Sequence, residues 1–229
     1  MSLERLFGLQ DKRALIIGAT PIGQASQALF IEAGATSALS DPGSDPEAIT
    51  TAVEQFVAQH GRIDILVYAA TRTGTYPLAD MTLDQWDGMQ DCNVRGAFVA
   101  VRQAVRHMRD SGGGAIVAVS TMGSLHPVLK GNAAYGASKA GLNAMIRAVA
   151  LDEQCNGIRA NTILPGAVPV GAPEADAVRL GGPAMEPGRL MMGMGSCEDV
   201  AAGILYLASP AARFMTGQVL TLDGGFLIS

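Results

Sequence analysis

Tyr135 and Lys139, four residues apart in "YGASK", offer the most direct chemistry in this chain. On a helix, positions four apart share a face. An ammonium held beside a phenol favours the phenolate. A free phenol ionises near ~10, so proton exchange near neutrality asks for a downward shift of about 2–3 units, or roughly 3–4 kcal/mol of local field. Alone, the pair also describes an ordinary solvated helix face. Other polar residues stand where simple packing would not place them. Ser120 and Thr121 end the apolar run in "IVAVSTMGS", with Ser124 just beyond, and Asn93 interrupts an amphipathic helical pattern. An amide inside a helix competes with the backbone for hydrogen bonds and is not a natural choice there.

The elements that must position these residues follow from periodicity. Short apolar runs alternate with helical patterns, which predicts βαβ units around a parallel sheet. Strands are predicted over 14–18, 36–40, 63–69, 115–120, 160–164 and 218–222. A helix is expected from about Gly23 to Gly34, and another behind Asp45 as cap with Pro46 at its first position. Thr82 and Gln85 have capping-box spacing, and the apolar face that follows runs Val94, Phe98, Val101, Val105, Met108. A fourth helix spans about 133–154 and stops near Gly157. A fifth starts at Ser196, with Asp199 three residues on. The segment 165–195, rich in Gly, Pro and Met, is the least regular. It follows a strand's carboxyl end, where open α/β sheets bind ligands.

Composition narrows the function. The 229 residues, 48% hydrophobic and 16% charged, suit one α/β domain over 1–229. The net charge is −5 and the basic residues form no stripe, which argues against nucleic acid as a partner. Cys92, Cys155 and Cys197 lack metal-ligand spacing, so no metal is expected and idle thiols in a reducing compartment are the plain reading. The N-terminal stretch lacks the apolar core of a signal peptide, and no uncharged apolar run reaches ~18 residues. A soluble cytoplasmic protein without a membrane partner is the expectation.

Seven segments in order, "GRIDILV", "CNVRGAF", "IVAVS", "AAYGASKAG", "IRANTILPG", "EDVAAGILYLAS" and "TGQVLTLDGG", resemble the short-chain dehydrogenase/reductase (SDR) family over nearly the whole chain. The resemblance implies a Rossmann-like doubly wound parallel sheet in a three-layer αβα arrangement. It implies Tyr135 as general acid/base, Lys139 lowering the Tyr135 pKa and binding nicotinamide-ribose hydroxyls, and Ser120 bonding the substrate oxygen, with Thr121 or Ser124 as alternatives. Asn93 would hold a water that connects Lys139 to solvent. The chemistry implied is hydride transfer coupled to proton transfer through Tyr135. A homodimer or homotetramer is also implied, through the helices near 93–108 and 133–154.

Asp41, at the end of the second predicted strand, matches the family position that favours NAD(H) over NADP(H). A carboxylate there accepts from the adenosine ribose and repels a 2′-phosphate; a turn aspartate before Pro42 is the alternative. Pro165, Gly166 and Val168 match backbone positions that meet the nicotinamide carboxamide, although Val170 stands where a threonine is common. In "IGATPIG", Gly18 and Gly23 remain of the family's three glycines, and Pro21 stands near the middle one, adding bulk and removing a donor. The N–H groups of Ile22, Gly23 and Gln24 still open a helix that can attract phosphate. The next cap, Asp45, comes only four positions after Asp41, which reads as a shortened member with one βα unit lost and six strands. "YAAT" replaces the family's Asn-Asn-Ala-Gly: Ala69 and Ala70 leave room for a ribose, and Tyr68 reads as a core filler. His126 lies in the loop between Ser120 and Tyr135. Met185, Met191, Met192 and Met194, with Val128 and Leu129, suggest an adaptable apolar wall for a hydrophobic alcohol or ketone. Two other functions stay open: an SDR-derived enzyme without hydride transfer, like a halohydrin dehalogenase, and a non-catalytic sensor or partner subunit.

Overall fold

The computed structural model describes residues 2–171 and 175–229. Six strands, β1 (Arg13–Ile17), β2 (Thr36–Ser40), β3 (Ile65–Tyr68), β4 (Gly114–Val119), β5 (Ile158–Pro165) and β6 (Val219–Leu222), form one sheet in the order β2-β1-β3-β4-β5-β6. Every pairing is parallel. The helices are α1 (Leu3–Phe7), α2 (Pro21–Glu32), α3 (Pro46–His60), α4 (Leu83–Gln90), α5 (Ala97–Ser111), α6 (Ala133–Glu153), α7 (Ala175–Leu180) and α8 (Cys197–Ala208). This is the Rossmann-like, three-layer α/β arrangement expected, with six strands.

Both sheet faces are covered, which is why the strands read as unbroken apolar runs. Leu15, Ile17, Leu66, Tyr68, Ile116 and Ala118 point to one core with residues of α3, α5 and α6. Their alternates Ala14, Ile16, Ile65, Val67, Val117 and Val119 point to a second core with α2 and α8. Ile17 is level with Ser40 on one side and Tyr68 on the other. The residues following β1, β2 and β3 therefore emerge together at the carboxyl edge, at the point where the strand order reverses.

The caps show why the helices start where they do. The Asp45 carboxylate accepts from Ala48 N at 2.8 Å, and both capping boxes, Thr82–Gln85 and Ser196–Asp199, are formed. α2 starts earlier than the glycine spacing indicated. Thr20 is its cap and Pro21 its first residue, a position where proline's fixed φ helps and its missing N–H costs nothing.

Other expectations need correction. The buried stripe of α5 centres on Ala97, Ala100, Ala104 and Met108. Phe98, at its margin, is 46% exposed under the Arg102 guanidinium. Segment 165–195 is not wholly irregular, since it carries α7 and a short 3-10 turn at Pro183–Met185; residues 172–174 of it lie outside the described residues. Val128 and Leu129 do not stand free as a wall. They join Met122, Leu190 and Phe226 in a small separate core that seats this segment. Met191, Met192 and Met194 are exposed. Among the described residues, no helix is long and apolar enough to cross a membrane, and no cluster of His, Cys, Asp or Glu could hold a metal.

Candidate active site

The glycines of the turn after β1 serve a close approach of backbones. Gly18 has φ +107°, and a Cβ there would lie 2.2 Å from Ala70 N; a Cβ on Gly23 would lie 2.2 Å from Gly18 O. Ala69 N and Ala70 N both donate to Ile17 O. The ends of β1 and β3 are thus tied together, and Ile22 anchors α2 in the core below. The expected set of phosphate-facing amides is reduced. Gly23 N donates to Thr20 Oγ1 at 3.1 Å and Gln24 N to Thr20 O at 2.9 Å. Pro21 has no N–H. Of the three expected donors, Ile22 N alone has no partner among the described residues. The cause is the side chain of Thr20: a strong cap uses the donor that a bare turn would leave free.

An open groove of about 320 Å³ runs along this edge, lined by Ala19, Thr20, Asp41, Gly43, Ser44, Ala70, Thr71, Arg72 and Cys92. Asp41 and Ala70 were anticipated from the sequence. Gly18, Pro21, Ile22, Gly23 and Ala69 shape the turn beneath the groove. Pro165 and Gly166 lie at the far side of the sheet: Gly166 N donates to Leu222 O, and a Cβ on Gly166 would lie 2.6 Å from Asp223 Cα. Val168 packs on the core beside α8 and does not line the groove.

Asn93 lies in a π-helical turn, Asp91–Gly96, between α4 and α5. Such a turn inserts one residue into a helix and is frequent at functional sites. Both protons of its amide are engaged. Oδ1 accepts from Arg72 N at 2.8 Å, and Nδ2 donates to Arg72 O and Ser138 Oγ, both at 2.9 Å. The side chain therefore braces the loop after β3 against α6. Tyr68 braces the same turn from the sheet. Its hydroxyl donates to Cys92 O at 2.6 Å, and Gly96 leaves the space for it. Tyr68 is a core residue, as expected, and its burial raises the phenol pKa.

Tyr135 and Lys139 lie on the first two turns of α6. Lys139 is 1% exposed, and its Nζ donates to Val119 O at 2.9 Å while standing 5.9 Å from the centre of the Tyr135 ring. Burial pushes its pKa down from 10.5 to about 8, with the nearby Cys92 thiol opposing the shift. Burial also raises the Tyr135 pKa, and hydrogen bonds from the side chains of Thr71 and Thr121 pull it back. The groups that favour the phenolate are therefore hydroxyls, and Lys139 holds the strand end.

Ser120 Oγ donates to Lys139 O at 3.4 Å, whereas the strand-end hydroxyl that pulls the Tyr135 pKa down is that of Thr121. The backbone is extended at Thr121, and successive side chains of an extended chain point to opposite sides. One of the two hydroxyls can face the phenol, and the chain register selects the second. Ser124 Oγ donates to Thr121 O at 2.6 Å. Thr71, Arg72 and Cys92 were not anticipated. Thr71 had a signal, since a hydroxyl residue stands there in place of a glycine. Arg72 had another, because Gly88 on α4 leaves room for its guanidinium, 2.4 Å from where a Cβ would be.

The comparisons agree with this geometry. A family model described as Enoyl-(Acyl carrier protein) reductase matches residues 19–227. The 3-oxoacyl-(acyl-carrier-protein) reductase FabG of Thermotoga maritima is 32% identical over 247 residues, spanning 96% of this chain and 99% of that protein. A short-chain type dehydrogenase/reductase from Mycobacterium marinum superposes with a TM-score of 0.90 at 29% identity, over 100% of both chains. A gluconate 5-dehydrogenase from Burkholderia cenocepacia, solved with NADP and tartrate, does so with a TM-score of 0.87 at 25% identity, also over 100% of both. Matched across its length in sequence and in fold, and carrying the Tyr–Lys helix beside a groove at the sheet's switch point, this chain belongs to the short-chain dehydrogenase/reductase family.

Proposed function

We propose that the protein is a cytoplasmic oxidoreductase that interconverts a secondary alcohol and a ketone on a small to medium hydrophobic substrate, using NAD(H) in preference to NADP(H). The observation that carries this reading is Thr71, which lines the groove and is also one of the two hydroxyls that pull the Tyr135 pKa down. The place for a dinucleotide and the place for proton transfer therefore meet at one residue. The groove fits such a ligand: it has a carboxylate at the end of β2, small residues after β3, and a volume within the range of small-molecule sites.

Bound in the groove, the nicotinamide would supply a hydride acceptor or donor. The chain's own residues supply the rest. Asp41 would accept from ribose hydroxyls and repel a 2′-phosphate. Ala70 would let the sugar approach. In reduction, Tyr135 would give its proton to the substrate oxygen; in oxidation, it would take one. Lys139, protonated at neutral pH, would stabilise the phenolate and meet ribose hydroxyls. Ser120 and Thr121 stand at the strand end where a substrate oxygen would be held, and Asn93 keeps the loop and α6 in register. The exposed methionines of segment 165–195 would cover an apolar substrate, and the family resemblance favours a homodimer or homotetramer.

The test is an NADH fluorescence titration, followed by NAD reduction with a panel of secondary alcohols. Tyr135→Phe should bind NADH but turn over no alcohol. No quench or spectral shift at millimolar NADH would sink the proposal. The engaged amides after β1 favour one other reading, an enzyme of this fold without hydride transfer; it predicts halide and proton release from a haloalcohol with no nucleotide added.

A further inference from the structure

We propose that Arg72 is a phosphate ligand in the groove, and that its guanidinium supplies a nucleotide with the donors that the turn after β1 withholds. The proposal rests on the reading of the groove as a nucleotide site. Arg72 becomes its specificity-determining cation.

Two side chains of opposite charge line the groove, Asp41 and Arg72. They do not neutralise each other: among the described residues neither makes an ion pair. The hydrogen bonds of Arg72 there are those of its backbone, so its guanidinium is free. Such a groove matches a ligand that carries hydroxyl donors in one part and an anion in another. A carboxylate accepts from hydroxyls. A guanidinium offers five N–H donors in a planar fork that fits phosphate oxygens.

Arg72 is also mounted more firmly than a solvated arginine needs to be. Asn93 is 0% exposed, and it bonds the N–H of Arg72 at 2.8 Å and the C=O at 2.9 Å. A buried amide thus sets the backbone from which the side chain leaves. The guanidinium then lies against α4 at Gly88, where a Cβ would stand 2.4 Å from Nη1 and 2.7 Å from Cζ. Glycine weakens a helix; at this position it clears the space that the guanidinium occupies.

The turn after β1 opens on the same groove through Ala19 and Thr20. It is tied to the Arg72 loop, because Ala70 N donates to Ile17 O. Gly23 N and Gln24 N are bonded to Thr20, and Pro21 has no N–H. Ile22 N remains, and a pyrophosphate carries more charge than one amide can meet. Lys139 does not supply the difference from where it stands, since it is buried and donates to Val119 O. Arg72 is the cation that lines the groove.

The test measures binding by the full chain, without turnover. NADH and NADPH are titrated by fluorescence, and ADP and adenosine by calorimetry. Arg72→Ala should weaken NADH and ADP by about tenfold or more, the loss of a charge-assisted bond. Arg72→Lys, which keeps the charge and loses the fork, should lose less. Adenosine has no phosphate, and its affinity should stay within about twofold of the wild type. Arg102→Ala removes an equal charge from the exposed side of α5 and should leave every affinity unchanged. The affinity of the wild type for ADP should also fall more steeply with salt than that of Arg72→Ala. A loss shared by NADH and NADPH assigns Arg72 to the pyrophosphate, and a loss confined to NADPH assigns it to the 2′-phosphate; both uphold a phosphate ligand. Unchanged affinities for all three phosphorylated ligands overturn the proposal, as does a loss for adenosine equal to that for ADP, or a wild type that binds none of the ligands. A wild type that binds ADP through Arg72 but does not bind NADH keeps the phosphate ligand and loses the oxidoreductase reading. NADH binding that is insensitive to Arg72 does the reverse.

Discussion

Lys139→Met is the substitution with the most informative consequences for stability. Burial depresses the folded-state pKa of Lys139 from 10.5 to about 8. Below pH 8 both folded and unfolded chains carry the proton, and the penalty of the buried ammonium is fully present. Between pH 8 and 10.5 the unfolded chain binds more protons, so stability rises with pH across that window. At about 1.4 kcal/mol per unit, the penalty is about 3 kcal/mol. Methionine removes it but leaves Val119 O, now bonded to Nζ at 2.9 Å, without its donor, at a cost of about 1–3 kcal/mol. The variant should therefore match or exceed the wild type by about 1 kcal/mol at pH 7. The wild type should then gain about 3 kcal/mol on it as the pH rises to 10.5. Urea unfolding of both proteins at pH 7, 8, 9 and 10 measures this difference, and groups common to both cancel. A stability difference that is flat with pH, or that moves in the variant's favour, refutes the placement of a buried ammonium at this site. The same variant should lose alcohol oxidation, because a group kept at a cost to the fold is kept for function.

Three further outcomes follow from the geometry. Asp41→Ala should lower the preference for NADH over NADPH by about tenfold or more, read as a ratio of dissociation constants, since repulsion of the 2′-phosphate is removed; an unchanged ratio would assign Asp41 to the turn alone. Tyr68→Phe deletes the buried donor to Cys92 O and should cost about 1–3 kcal/mol in urea unfolding, whereas a neutral result would mean that the π turn satisfies that carbonyl by other means. Thr20→Val should cost about 1 kcal/mol of stability through the lost cap and, by releasing Gly23 N, tighten NADH binding; weaker binding would instead make the Thr20 hydroxyl a ligand contact.

Much of the scaffold was legible because its signals are local. The period of the strands, Pro46 behind Asp45, and the two capping boxes each depend on residues a few positions apart, and all were formed as read. Phe98 was misplaced because a helical stripe has margins that spacing does not resolve. The bonds of the site cross 20 to 45 positions: Asn93 to Arg72 and Ser138, and Lys139 to Val119. A sequence names such residues as candidates but does not pair them. Ser120 against Thr121 shows the limit, because both are hydroxyls at a strand end and only the pleat decides which one faces the phenol. Thr20 was legible and overlooked: a threonine directly before a proline marks a helix start better than the glycine two residues later.

That overlooked cap bears on how the altered turn can still serve a nucleotide. The Thr20 bond to Gly23 N is a neutral one, worth about 1 kcal/mol to the helix. A phosphate oxygen accepting from the same N–H forms a charge-assisted bond, worth about 1.5–3 kcal/mol, and also meets the positive end of α2. The exchange therefore runs toward the phosphate, with a deficit equal to the cap that must be released. Pro21 costs the helix ladder nothing, but it withholds one of the free N–H groups that a phosphate would meet. The turn should accept a dinucleotide with an affinity lowered by about the fivefold that 1 kcal/mol represents, and the departure from three glycines tunes the site without closing it.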